Sequence, residues 1–170
     1  MKELHLDFET CVKEVDEIYP LHLKGKEISE YLAILKATPF KLQLQPQDIL
    51  ITADTIVWLE GKALGKPKTK NEAFKMLTSL SGKKHEVISS IALTTIAKQM
   101  IISDITEVKF KNLSKDEINF YVDTFKPFDK AGSYGIQEWI GYIVIEKIKG
   151  SYFNVMGFPV QKFYKALHEI

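Results

Sequence analysis

An aspartate and a threonine interrupt an otherwise apolar segment, and they are the residues best suited to chemistry. The segment reads DILITADTIVW over residues 48–58, and Asp54 and Thr55 follow a run of Ile and Leu. A carboxylate that is buried without a partner is costly, so this one must face a cleft or meet a cation. The pattern alone leaves two interpretations equally open. Asp54 either caps the strand or pairs with a lysine, or it takes part in catalysis.

Two other polar segments carry lysine beside glycine, namely LGKPK at residues 64–68 and DKAGSYGIQ at residues 129–137. Lysine offers a point charge to phosphate oxygens, and glycine lets backbone N–H groups approach an anion. With an acid to activate water or hold a metal, this set is typical of phosphate chemistry, although no Walker A or G-x-G-x-x-G loop is present. The simpler interpretations place Lys66 at a solvated hairpin tip and pair Lys130 with Asp129 in a turn.

The composition limits the classes of function. The chain has 170 residues, of which 45% are hydrophobic and 26% charged, as expected for one globular domain. Its net charge of +1 argues against binding to nucleic acid or to a membrane surface. Cys11 is the only cysteine and the four histidines lack metal-ligand spacing, so no disulfide framework or Cys/His metal site is indicated. No segment resembles a signal peptide or membrane span, and we therefore expect a cytoplasmic protein.

The hydrophobic pattern predicts alternating helices and strands. Thr69 and Ser114 are predicted N-caps, because each precedes a glutamate by three residues. The runs on either side of residues 98–99 should form an antiparallel pair. These elements predict an α/β (α+β) fold with a mixed sheet. The predicted helices cover residues 27–37, 69–82, 114–125 and 159–170, and the predicted strands cover 8–15, 48–59, 85–97, 100–110 and 141–152.

The ordered motifs ITADTIV, GKALGKPK, AFKMLTSLSGKKHEVISSIAL, DKAGSYGIQ and IKGSYFNVMGFPV resemble those of the Maf family, from about Val15 to the C-terminus. Members are nucleoside triphosphate pyrophosphatases. The resemblance implies cleavage between the α and β phosphates with a divalent metal, Mg²⁺ or Mn²⁺, and removal of unwanted nucleotides from the cellular pool. It also implies a single Maf-like domain over residues 1–170. Its fold should resemble that of the inosine triphosphate pyrophosphatases, a bent mixed sheet flanked by helices around a central cleft.

The resemblance also implies roles for individual residues. Asp54 matches the proton acceptor that activates the attacking water, and Lys66 and Lys130 match lysines that should neutralise the triphosphate. Thr55 and Gln137 match positions of substrate selectivity, and this pair resembles the branch that prefers dTTP and UTP. An amide that both donates and accepts hydrogen bonds suits the edge of uracil or thymine.

Three further expectations depend on the same resemblance. Glu17, together with Asp54, is assigned to metal binding, because oxygen ligands suit Mg²⁺ and Mn²⁺. Ser151 and Asn154 match a turn for which we expect a structural role. A homodimer is suggested by the resemblance alone.

The chain departs from the family pattern at its N-terminus. The family begins with a strand and an S-x-S-P-R-R turn whose arginine resembles a phosphate clamp, whereas this sequence contains no SPR and no arginine. Lysine does not replace the arginine fork, so we interpret the domain as truncated and expect weak nucleotide binding and slow turnover. One alternative is a non-catalytic nucleotide-binding or interaction module of the same fold. A nucleic-acid binder is disfavoured by the low net charge.

Overall fold

Helices flank one five-stranded sheet in this computed structural model, which describes residues 2–170. The predicted α/β class is confirmed. The helices are α1 (Lys26–Ala37), α2 (Lys70–Leu80), α3 (Lys115–Phe125), α4 (Trp139–Val144), α5 (Tyr152–Val155) and α6 (Val160–Leu167), with 3₁₀ turns at Lys2–Leu4, Thr38–Gln43 and Ala131–Ser133. The strands are β1 (Leu50–Leu59), β2 (Lys62–Leu64), β3 (Lys84–Thr94), β4 (Gln99–Phe110) and β5 (Ile145–Lys149).

The strands pair in the order β2-β1-β3-β4-β5, and each pair is antiparallel. The central strand β3 is buried on both faces, since Val87 belongs to one core cluster and Ile88, pointing the other way, belongs to another. Helix α1 covers the Ile88 face through Ile28 and Leu32. Burial on both faces explains why β3 reads as a nearly continuous apolar run.

Strand β1 has an edge that is only partly paired, and this edge positions the cleft described below. Strand β3 pairs with β1 from Leu50 to Trp58, whereas β2 pairs only with Val57–Leu59. The β1–β2 hairpin turns tightly because Glu60 and Gly61 both adopt positive φ, at 49° and 82°. Residues 50–56 therefore have a free edge within the described part of the chain.

Most of the predicted elements are confirmed, including α1, α2, α3, α6 and the β3–β4 pair. The Thr69 side chain accepts a hydrogen bond from the Glu72 N–H, as its predicted cap role requires. Ser114 and Glu117 form a complete capping box at the start of α3. These local signals depend on neighbouring residues only, so they can be read from the sequence.

Two predicted strands differ from the structure. Residues 8–15 form no strand, and their apolar Val12 is 91% exposed, so the alternation in FETCVKEV is not matched by burial. The predicted strand over residues 141–152 is wrong in its first part. Residues 141–144 belong to helix α4, and strand β5 begins only at Ile145. Ile140 and Val144 of α4 are both buried at a helical spacing, which a short apolar run does not distinguish from a strand.

Within residues 2–170, no helix combines the length and the apolar character needed to cross a bilayer.

Candidate active site

A cleft of about 360 Å³ opens at the free edge of β1, between the loop before α2, the segment 129–137 and the turn after α5. This volume falls in the range of small-molecule sites. Side chains of β1 alternate between the two faces of the sheet, so Asp54 and Thr55 point to opposite faces. Both still line the cleft, because the cleft extends around the edge of β1. The charged and polar side chains of the lining are Lys36, Asp54, Thr55, Lys66, Asp129, Lys130 and Gln137.

Asp54 meets a cation, and this contact explains how an acid lies in a core strand. Its Oδ1 is 2.5 Å from Nζ of Lys36, and the residue is only 8% exposed. Burial raises the pKa of the Asp54 carboxyl above its ordinary value, because the loss of hydration outweighs the attraction of Lys36. Within the described chain Oδ2 makes no hydrogen bond, and it remains available to a water or ligand.

Sequence reasoning missed Lys36, although the pattern contains a signal for it. The buried side chains of α1 include Leu32, Ala33 and Ala37. Lys36 follows Leu32 by four residues and therefore lies on the apolar stripe rather than on the solvated face. Burial alone would lower the pKa of Lys36, but its ion pairs with Asp54 and Glu17 outweigh burial and raise that pKa.

Glu17 reaches the same group from the N-terminal segment. Its Oε1 lies 3.1 Å from Nζ of Lys36 and 3.6 Å from Nζ of Lys66. Burial would raise the pKa of Glu17, but the two lysines outweigh burial and lower it. Residues 2–170 contain no cluster of three or more His, Cys, Asp and Glu side chains suited to a metal. Glu17 and Asp54 converge on one point, which Lys36 occupies.

Lys130 is held by two carboxylates on the opposite wall of the cleft. The predicted turn pair with Asp129 is present at 2.9 Å, and Glu138 Oε1 lies 3.0 Å from the same ammonium. Sequence reasoning missed Glu138. Its other oxygen accepts a hydrogen bond from the Tyr121 hydroxyl, which itself accepts from Gly135 N–H at 3.2 Å. Glu138 therefore ties Lys130 to helix α3.

The two glycine-bearing segments contact each other beneath the cleft. Gly132 N–H donates to the carbonyl of Gly65 at 3.1 Å. Gly132 has a φ of +67° and packs so closely that a Cβ would lie 2.8 Å from Val57 Cγ2. Glycine is required there by backbone conformation and by space. This contact brings Lys66 and Lys130 to one cleft.

The same segment is fixed to β3 by a buried pair. Tyr134, which lines the cleft, has its hydroxyl 2.8 Å from Nε2 of His85. His85 is 3% exposed, and burial lowers its pKa to about 4. Its ring also packs edge-on against Phe110. His85 is therefore a neutral core residue, in agreement with the absence of metal-ligand spacing in the sequence.

Thr55 lies on the other face of β1 from Asp54, beside the turn that follows α5. Its Oγ1 is 2.8 Å from Oγ of Ser89 and 3.3 Å from the carbonyl of Gly157. The turn is anchored by Asn154, whose amide donates to Val87 O and to Thr106 Oγ1, both at 3.0 Å.

Ser151 accepts a hydrogen bond from the backbone N–H of Asn154 at the start of α5. The contacts of Ser151 and Asn154 thus hold the turn against Thr55, which is the structural role expected for these two residues.

The cleft therefore combines a buried acid, three lysines and an apolar portion. Three ammonium groups in one cleft are suited to several phosphate oxygens, and Gln137 and Thr55 offer groups capable of directional hydrogen bonds. The apolar lining suits the face of a flat ring. The larger side chains of this apolar lining are Val57, Val87, Tyr134, Val155 and Met156.

Comparison with known proteins identifies relatives of this chain. The family described as Maf-like protein matches residues 1–170. A dTTP/UTP pyrophosphatase of Flavobacterium johnsoniae is 50% identical over 98% of this chain and 86% of its own length. The protein of the same name from Flavobacterium psychrophilum is 54% identical, over 98% of this chain and 85% of its own. A third, from Bacteroides fragilis, is 53% identical over 92% and 81%.

Proposed function

The chain belongs to the Maf family, and we propose that it hydrolyses dTTP and UTP to the nucleoside monophosphate and pyrophosphate. The observation that carries this proposal is the position of Asp54, a buried acid whose second oxygen is open to a cleft lined by lysines. The relatives named dTTP/UTP pyrophosphatase support the choice of substrate.

In the proposed reaction, a water attacks the α phosphorus and Asp54 accepts its proton. The new bond joins the water oxygen to the α phosphorus. The bond from that phosphorus to the oxygen bridging to the β phosphorus breaks, and pyrophosphate leaves with the electron pair. The raised pKa of Asp54 favours this role, because a general base works best when its pKa is near the working pH. Lys36 on Oδ1 fixes the carboxylate so that Oδ2 faces the water.

The lysines supply positive charge, which stabilises the negative charge that develops on the departing pyrophosphate. Lys66 is about half exposed and forms only a long contact with Glu17, so its ammonium is available to phosphate. Lys130 is paired with the exposed Asp129, and exposed ion pairs contribute little stability. A triphosphate oxygen therefore replaces Asp129 at low cost, and Lys130 stays fixed through Glu138. Such fixed positive groups stabilise the transition state electrostatically.

The cleft carries two carboxylates that would hold a divalent metal together with substrate, although within residues 2–170 they form no cluster of three ligands. Glu17 and Asp54 lie on one ammonium and could turn their oxygens to one cation, and Mg²⁺ is commonly held by one or two carboxylates together with substrate phosphates. When bound, the metal would neutralise phosphate charge and polarise the reacting groups. Lys36 would then orient the two carboxylates from the protein side.

The nucleobase would lie on the apolar part of the cleft. Thr55 and Gln137 are the polar groups of the lining suited to read its edge. A site with hydrogen-bonding groups rejects a base that leaves them unpaired, so real selectivity is expected. In the cell, this activity would remove pyrimidine triphosphates from the cytoplasmic nucleotide pool.

Pyrophosphate release from a panel of nucleoside triphosphates with Mg²⁺ tests the proposal. We expect release from dTTP and UTP, and loss of release in Asp54→Asn. The alternative is a binding module of the same fold. It would show thermal stabilisation by the nucleotides without any pyrophosphate, and that result would contradict the enzyme proposal.

A further inference from the structure

A chain of buried hydrogen bonds lies behind Thr55. Thr55 and Ser89 face each other in the β1–β3 pair, so their side chains share one face of the sheet. Ser89 is fully buried, and its hydroxyl contacts Thr55 Oγ1 at 2.8 Å and the carbonyl of Asn154 at 2.9 Å. Gly157 adds a second carbonyl, 3.3 Å from Thr55 Oγ1.

The number of protons available in this series of hydrogen bonds decides which way each hydroxyl points. Each hydroxyl has one proton, and a carbonyl oxygen only accepts. When Ser89 donates to the carbonyl of Asn154, its own oxygen is left to accept from Thr55. If Ser89 donated to Thr55 instead, the proton of Thr55 would still find the carbonyl of Gly157 on the protein side. The Thr55 proton points into the protein in both arrangements, and its oxygen is a hydrogen-bond acceptor toward the cleft.

We propose that Ser89 is a positioning residue that makes Thr55 a fixed acceptor, and that this acceptor reads the N3–H group of uracil or thymine. The proposal rests on the proposed function and deepens it. Uracil and thymine have a donor at N3, whereas cytosine has a lone pair at that atom. Cytosine would place two acceptors against each other, and such a contact leaves both oxygen and nitrogen without a donor.

The architecture around Thr55 supports a fixed rather than a rotating hydroxyl. Asn154 holds its turn through Val87 and Thr106, so the carbonyl that accepts from Ser89 does not move freely. Gly157 has a φ of +106°, which lets the turn bring its carbonyl to Thr55. An acceptor fixed in this way cannot reverse to donate to cytosine without losing an internal hydrogen bond.

The test compares UTP, CTP and 3-methyl-UTP, which lacks the N3 proton. For the unmodified protein we expect a higher kcat/KM on UTP than on either of the other two. Ser89→Ala removes the nearer internal partner of Thr55 at 2.8 Å and leaves only the longer contact with the Gly157 carbonyl at 3.3 Å. The Thr55 proton then turns outward more easily, so the UTP/CTP ratio of kcat/KM should fall by up to about tenfold, the worth of one hydrogen bond. Ser90→Ala is the matched control. Ser90 is equally buried on the opposite face, and among residues 2–170 its hydroxyl bonds to Ser29 and Ser103 alone.

Each outcome decides between the possibilities. An unchanged UTP/CTP ratio in folded Ser89→Ala, or an equal fall in Ser90→Ala, would overturn the proposal. If Ser89→Ala does not fold, Thr55→Val removes the acceptor at constant size and should lower the UTP/CTP ratio. An unchanged ratio in Thr55→Val would also contradict the proposal. Dissociation constants for UTP, CTP and 3-methyl-UTP give the ratio without hydrolysis. A protein that binds with this selectivity but releases no pyrophosphate would refute the proposed function and leave the role of Ser89 intact.

Discussion

The ammonium of Lys36 lies 2.5 Å from Oδ1 of Asp54, and this pair joins the C-terminal turn of α1 to the middle of β1. An acid in a core strand is tolerated because a cation from the neighbouring helix meets it. The pair occupies only one carboxylate oxygen, so the other remains available for chemistry.

Removal of the Lys36 charge should weaken catalysis and shift its pH dependence. In Lys36→Met the attraction that lowers the pKa of Asp54 is lost, so that pKa rises further above its ordinary value. The base must be ionised to accept a proton, and the acid limb of the kcat/KM profile should therefore move to higher pH. We expect kcat to fall by about 10–100-fold, the worth of one hydrogen bond to a charged group.

Lys26→Met is the matched control for that experiment. Lys26 lies at the other end of α1 and pairs with Glu30 at the surface, 3.2 Å away. Its removal should leave the pH profile unchanged. A profile of Lys36→Met that coincides with that of Lys26→Met would show that Lys36 does not act on Asp54.

Asp54→Asn should separate activity from stability. We expect a fall in kcat of about 100–10,000-fold, the usual contribution of a general base. Because the folded-state pKa of Asp54 is raised above its unfolded value, the charged carboxylate costs stability at neutral pH, and that cost disappears below the unfolded value of 3.8. Asparagine avoids this cost, and Lys36 keeps Glu17 as a partner at 3.1 Å, so the midpoint of thermal unfolding at pH 7 should change little. A large fall would assign Asp54 a structural role instead.

The sequence allowed much of the site to be predicted because those residues interrupt local patterns. Asp54 and Thr55 break an apolar strand, and Lys66 and Lys130 lie in turn-forming segments. All four side chains line one cleft. Lys36 was missed although it breaks the helical stripe of α1, because a helix with one lysine near its end reads as ordinary.

Other features could not be predicted because they depend on distant contacts. Glu138 acts through Lys130 and through Tyr121 on another helix. The hydroxyl of Ser89 matters only because β1 and β3 bring it opposite Thr55. No local pattern marks such residues, since serine within a strand is as compatible with a solvated edge as with a buried contact.

Acidification should destabilise the fold through His85. Its pKa is about 4 when folded, below the ordinary value of 6.5, so the unfolded chain binds more protons between these pH values. Stability is therefore complete above about pH 6.5 and falls as the pH drops toward 4. The difference amounts to about 3 kcal/mol, since each pH unit is worth about 1.4 kcal/mol.

Urea unfolding at a series of pH values measures this effect. His85→Gln keeps an amide near the Tyr134 hydroxyl but has no proton to gain, so its free energy of unfolding should depend less on pH over the same window. Equal slopes for the two proteins between pH 4 and 6.5 would contradict the assignment of the acid sensitivity to His85.

Glu138 and Asp129 should affect nucleotide binding in opposite directions, although both pair with Lys130 at about 3 Å. Burial and Glu138 raise the pKa of Tyr121, so its phenol keeps the proton that it donates to Glu138. Glu138→Gln removes the charge that holds Lys130 against α3, and we expect KM for UTP to rise about tenfold with a smaller change in kcat, as for a lost charged hydrogen bond. Asp129→Asn removes a carboxylate that competes with phosphate for the same ammonium, so KM should fall. Steady-state kinetics of the two variants at equal ionic strength compares these effects, and shifts of KM in the same direction would show that Glu138 does not position Lys130.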